Sequence, residues 1–110
     1  KELVKLINDG FSTALMIDQR VSEGIHSNFF NEKALTTTIP AQLVKKYRIP
    51  VVPIFIERFD DIKFKMTVNK PINFEENKSV EEITNELNKL LENMILKKPN
   101  YWIWSHNRWK

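Results

Sequence analysis

"IPVVPIFIERFDDIKFKMTVNK", residues 49–70, decides how the rest of this chain is read. Its first half is apolar and β-branched, the composition of a buried strand, and Pro50 and Pro53 predict an irregular start or a bulge. Asp60-Asp61 supplies a turn. Beyond it, Ile62, Phe64, Met66 and Val68 alternate with Lys63, Lys65 and Thr67. That period of two predicts a half-exposed strand hairpinned to its predecessor, with the apolar set turned to the core.

Helical patterns flank this unit. Upstream, "IPAQLVKKYR" (39–48) opens on a proline tolerated in a first turn and turns Leu43, Val44 and Tyr47 inward. Downstream, Ser79 with Glu82 forms a capping box, and Val80, Ile83, Leu87, Leu90, Met94 and Ile95 trace the stripe of the longest helix, which Pro99 stops. Nearer the start, "KELVKLINDG" (1–10) places Leu3, Val4, Leu6 and Ile7 on one helical face, with Gly10 as its stop. "FSTALMIDQ" (11–19) reads as a short buried strand over residues 11–17 that ends at Asp18. Residues 20–38, "RVSEGIHSNFFNEKALTTT", show little periodicity and are too long for an ordinary connector, which predicts a functional loop. The order α-β-loop-α-β-β-α-tail predicts an α/β fold, a mixed β-sheet flanked by helices.

Bulk properties set the frame. At 110 residues there is room for one domain, and 42% hydrophobic with 28% charged residues describes a globular chain. There is no cysteine, so disulfides and thiolate metal sites are excluded. Seventeen basic and 14 acidic side chains leave a net charge of +3, which permits an anionic partner without requiring one. No apolar run approaches the roughly 18 residues of a membrane span. The start at Lys1, without methionine and inside an apolar-periodic segment, reads as a fragment or a processed product.

Few residues offer chemistry. Asp18 is either a site carboxylate at a strand's carboxyl end, where α/β sheets gather ligands, or a solvated residue opening a loop. His26 could serve as a base, but the residue five places on is Asn31, not an acid. Phe29-Phe30 is either a loop anchor or the lining of an apolar channel. The closing "YWIWSHNRWK" (101–110) adds His106 and Arg108, the latter a natural clamp for phosphate or carboxylate. Its tryptophans suit a core, a base-stacking platform or a membrane interface. Metal-ligand spacing, Walker and glycine-rich nucleotide loops, and a Ser-His-Asp series are all missing from the sequence.

Four stretches taken in order carry a resemblance: residues 10–38, "PAQLVKKYRIPVVPIFI" (40–56), "ITNELNKLLENMI" (83–95) and "PNYWIWSHNRWK" (99–110). Together they resemble the C-terminal part of the lipid A biosynthesis (lauroyl/myristoyl) acyltransferases, within the lysophospholipid acyltransferase superfamily. The family shows a strand ending in Asp-Gln, a loop reaching Phe-Phe, a Pro-Val-Val-Pro strand and a terminal Pro-x-Gln-Tyr-x-Trp-x-His-Arg-Arg-(Phe/Trp)-Lys. Here Asn100 stands for the glutamine, and Asn107 stands for the first arginine, which removes one positive charge.

The resemblance implies that residues 1–110 are the C-terminal portion of one acyltransferase domain. The reaction expected is transfer of a fatty acyl chain from acyl carrier protein to a lipid A precursor, at the cytoplasmic face of the inner membrane of a Gram-negative bacterium. No cofactor is implied beyond the acyl-carrier donor. The catalytic His-x-x-x-x-Asp/Glu pair and the membrane anchor are expected upstream, leaving this portion inactive alone. Asp18 matches the family's acidic position and is implied as a supporting catalytic residue, which pairs with an arginine expected upstream or orients substrate beside the catalytic histidine; Arg20, Glu23, His26, Phe29, Phe30, His106 and Arg108 are implied to contact substrate. Lys45, Lys46 and Arg48 form either a face for the carrier protein or anionic headgroups, or a solvated helix face. The alternatives are a lysoglycerophospholipid acceptor, or a non-enzymatic basic module for single-stranded nucleic acid, a partner the acyltransferase reading excludes. The tail is expected to run extended onto the sheet, with Trp102, Trp104 and Trp109 as core or lipid-facing surface.

Overall fold

The computed structural model describes residues 2–110. Helix α1 (Glu2–Asn8) ends at Gly10, whose φ of +84° suits a residue without Cβ. Strands β1 (Ile25–Phe29) and β2 (Glu32–Thr36) form one antiparallel hairpin, and β3 (Ile54–Phe59) and β4 (Lys63–Val68) form another. Between the hairpins lies α2 (Ile39–Tyr47), and α3 (Val80–Lys97) follows the second. A short 3-10 turn, Pro99–Tyr101, leads into the tail. The expected α/β mix is present, but the described strands make two separate two-stranded antiparallel sheets instead of one mixed sheet.

Helix α3 organises the interior. Its capping box is complete: Ser79 Oγ accepts from Glu82 N–H at 3.1 Å, and Glu82 Oε2 accepts from Ser79 N–H at 2.7 Å. Its first half packs Ile83 and Leu87 against Ala41 and Val44 of α2, with Ile17, Val51, Phe74 and Val80 around them. Its second half packs Ile95 against Phe29 and Ala34 of the first hairpin, with Phe30, Leu91, Trp102 and Trp109 around them.

The stretch 20–38, expected as an irregular loop, carries the β1–β2 hairpin. Its turn is Phe30-Asn31, both at positive φ (51° and 64°), the geometry that matches strand twist in two-residue hairpins. Asp60-Asp61 repeats it at 49° and 56°. The left-handed conformation costs a non-glycine residue about 1–2 kcal/mol. At Phe30 the cost is offset by ring contacts to Phe29 and Trp102 and by an N–H bond to Glu92 Oε1 at 2.7 Å. The first hairpin turns Ser27, Phe29, Ala34 and Thr36 inward. Two of those four are hydroxyl residues, so no hydrophobic alternation marks the strands.

Three further expectations are corrected. Residues 11–17 form no strand: no ladder partner is found for them among the described residues, and Phe11, Leu15 and Met16 are exposed. An apolar run becomes a strand only through pairing, which is not local information. The β3–β4 hairpin has the expected strands and turn, but Ile62, Phe64, Met66 and Val68 face out, Ile62 at 82% exposure. The tail is not extended. It runs through successive tight turns, with Trp102 N–H bonded to Pro99 O, Trp104 N–H to Trp102 O and His106 N–H to Ile103 O.

Candidate functional site

The first hairpin and α3 meet through polar groups. On α3, Thr84, Asn88 and Glu92 repeat every four residues and are all buried, so they form a polar stripe beside the apolar one. Asn88 Nδ2 donates to Ser27 Oγ at 3.0 Å and Thr36 Oγ1 at 3.1 Å, with Asn28 O at 3.3 Å. Ser27 Oγ donates to Asn85 Oδ1 at 2.5 Å. Glu92 Oε2 accepts from Lys89 Nζ at 2.9 Å. Asn88 Oδ1 is buried with no hydrogen-bond partner.

The tail inserts Arg108 into this network. Its side chain is 1% exposed. Arg108 Nη1 donates to Leu35 O at 2.6 Å, Nη2 donates to Thr36 Oγ1 at 2.9 Å, and the guanidinium lies over the Phe29 ring at 5.5 Å. Thr36 Oγ1 passes its own proton to Ala34 O at 3.0 Å, so it accepts from both Arg108 and Asn88. Arg108 Nε has no acceptor, and no carboxylate closes an ion pair with Arg108 among the described residues. Burial pushes its pKa down, and the negative charge of Asp18 pulls it back up.

The expected site residues are divided by this geometry. Asp18 is half-buried at the end of the unpaired segment, and its charge is felt at Arg108. Arg20 and Glu23 are exposed on the bend before β1. His26 is exposed on the outer face of β1, opposite Leu35, while Ser27 and Phe29 point inward. Phe29 is fully buried, stacked on Trp109 at 5.6 Å and edge-on to Trp102 at 5.7 Å, so it is an anchor and lines no channel here. Phe30 sits at the rim beside Trp104. His106 is exposed. No carboxylate pairs with either histidine among the described residues. Arg108 spends two of its three nitrogens inside the protein. Trp102 and Trp109 are half-buried and pack against the core, and Trp109 Nε1 donates to Phe29 O at 2.9 Å.

Sequence reasoning passed over three residues that shape this region: Thr36, Asn88 and Gly24. The four-residue spacing of Thr84, Asn88 and Glu92 was a usable signal for a polar helix face. Gly24, one of only two glycines in the chain, was another. A Cβ at Gly24 would lie 2.0 Å from the Thr36 carbonyl oxygen, so only glycine lets the bend after Asp18 reach the end of β2.

Elsewhere, a cleft of about 320 Å³ between α2 and residues 73–76 is lined by Lys45 and Arg48 of the basic helix face and by none of the expected catalytic or substrate-contact residues. Arg48 and Glu76 close on each other there, and Lys45 Nζ donates to Glu76 O at 2.8 Å. That spends part of the basic helix face. Among the described residues there is no group of three or more histidine or acidic side chains able to hold a metal, and no helix is long and apolar enough to cross a membrane.

No curated protein matches the chain. The family model for bacterial lipid A biosynthesis acyltransferases matches residues 1–110. The chain, with its buried arginine tail and its Asp-Gln segment, therefore belongs to the bacterial lipid A biosynthesis acyltransferase family.

Proposed function

We propose that this chain is the C-terminal portion of an enzyme that moves a fatty acyl chain from an acyl carrier protein thioester to a hydroxyl of a lipid A precursor. The reading rests on the family match along the whole chain. In the reaction the acceptor oxygen attacks the thioester carbonyl, a base takes the hydroxyl proton, the carbon–sulfur bond breaks, and the carrier's thiol leaves with a proton. A base in this chain would have to be His26 or His106, and each is exposed without a carboxylate partner among the described residues. The His-acid pair is therefore assigned to a segment outside residues 1–110, and the chain alone is inactive.

In this reading Asp18 supports the site, and Arg20, Glu23 and His26 present a polar rim to the acceptor. The work is done at the cytoplasmic face of the inner membrane, with the carrier protein as acidic partner and no cofactor. At the tail, Trp102 and Trp109 are engaged with Phe29 and withdrawn from base stacking, which supports the acyltransferase reading over a nucleic-acid one.

The test is acyl transfer by the full-length protein from acyl carrier protein to two acceptors, a lipid A precursor and a lysoglycerophospholipid. Acylation of the first at least about tenfold faster, a difference of about 1.4 kcal/mol in the barrier, is expected. Preference for the second would change the acceptor, and no transfer to either would overturn the enzyme assignment.

A further inference from the structure

The tail sorts its large side chains into two sets. Trp102 and Trp109 pack inward on Phe29, and Arg108 is buried beside them. Leu96, Tyr101, Ile103 and Trp104 stay outside, at 62%, 48%, 70% and 48% exposure. The backbone keeps this outer set together. Tyr101 N–H bonds Lys98 O, and Pro99 O accepts from both Trp102 N–H at 3.3 Å and Trp104 Nε1 at 2.8 Å. Trp104 also lies edge-on to Trp102 at 4.7 Å and beside Phe30 at 5.6 Å, so the outer set adjoins the turn of the first hairpin. An indole whose N–H is satisfied internally while its surface stays open is held out by the fold, not frayed.

The charge of this segment is of one sign. Residues 93–110 contain no Asp or Glu, and Lys97, Lys98 and Lys110 are exposed among them. Of these three lysines, Lys98 alone has an acidic neighbour among the described residues, Glu57 at 3.7 Å. The second hairpin is apolar as well, but its turn carries Asp60 and Asp61. Exposed Trp and Tyr beside aliphatic residues and lysines match the water–lipid boundary, where amphipathic rings sit at headgroup depth and lysines meet anionic headgroups. Leu96 and Ile103, the most exposed of the four, offer no face to a nucleobase.

We propose that Leu96, Tyr101, Ile103 and Trp104, with the lysines of the same segment, form a docking patch for an anionic lipid surface. Docking there brings the rim of the first hairpin, at Phe30, to the lipid boundary. The patch rests on the reading of the protein as an enzyme that acylates a lipid, and gives that reading a surface of contact.

The test uses the full-length protein with a single spin label, at Ile103→Cys or, as control, at Glu81→Cys at the opposite end of α3. Any other cysteine is replaced, and residues 1–110 contain none. Collision with a neutral, water-soluble nickel chelate is measured in vesicles of phosphatidylcholine alone and of equal parts phosphatidylcholine and phosphatidylglycerol. In the anionic vesicles the label at 103 should become at least about threefold less accessible than in phosphatidylcholine, and the label at 81 should not change. Replacing Lys97, Lys98 and Lys110 by glutamine should abolish the difference, and all three are exposed, so the fold is kept. Equal accessibility of position 103 in both vesicles, an equal fall at position 81, or protection that survives the triple substitution would overturn the patch. Protection of position 103 by acyl carrier protein without lipid would overturn it too, in favour of a protein partner. Acyl transfer by the same preparation separates the two readings. Transfer with position 103 unprotected overturns the patch alone, and protection without transfer upholds the patch and overturns the enzyme reading.

Discussion

Arg108 and Gly24 show how single residues set this structure. Each acts on Thr36, one through its hydroxyl and one by crowding its carbonyl. Gly24→Ala forces a Cβ to within 2.0 Å of a backbone oxygen, which cannot swing away as a side-chain tip could. The expected loss is about 2–3 kcal/mol of stability, the upper part of the range for overpacking, read from the urea midpoint of unfolding. Gly10→Ala meets nothing within 4 Å and should lose only the cost of a positive φ, about 1 kcal/mol. Equal losses at the two positions would refute the crowding at Thr36. The role of Arg108 was not legible in the sequence, because it depends on contacts across the fold; at Gly24 only the scarcity of glycine pointed to a constraint.

At the scale of elements, α3 was the most legible and the first hairpin the least. Helix α3 announces itself by local chemistry, a cap at Ser79 and an apolar stripe. The hairpin conceals itself because Ser27 and Thr36 face polar α3 residues, so a buried interface leaves no hydrophobic period. The β3–β4 pair was legible in its strands and turn, while the choice of inward face was not. The cap of α3 also carries a pH dependence. Hydrogen bonds from Ser79 hold the Glu82 carboxyl below its ordinary value of 4.5. A carboxyl with a lowered folded pKa adds stability that is complete above the ordinary value and is lost as pH falls through the lowered one. Glu82→Gln should therefore flatten the acid limb of the stability curve between those points. Ser79→Ala should cost about 0.5–2 kcal/mol at neutral pH. An acid limb unchanged in Glu82→Gln would show that the box contributes nothing there.

At the scale of the molecule, the second hairpin leaves an apolar surface open among the described residues. Ile54, Ile56, Phe64, Met66 and Val68 are exposed together on a two-stranded ribbon, with Arg58 over the Phe64 ring at 5.3 Å. Two strands alone are marginal in water, and an open apolar face promotes association. The 110-residue chain is expected to bind an apolar dye such as ANS and to self-associate as its concentration rises. Replacing Ile56 and Phe64 by lysine should reduce both several-fold. A chain that stays monomeric and dye-silent would contradict this reading of the ribbon.

The proposed site turns on one carboxylate, and Asp18→Asn in the full-length protein is its test. The carboxylate's charge is removed at almost constant size, at a position outside the core. Measured as acyl transfer from acyl carrier protein to a lipid A precursor, kcat should fall by about a hundredfold, about 2.7 kcal/mol, with the fold intact by circular dichroism. Turnover within about twofold of wild type would contradict the claim and remove Asp18 from the site.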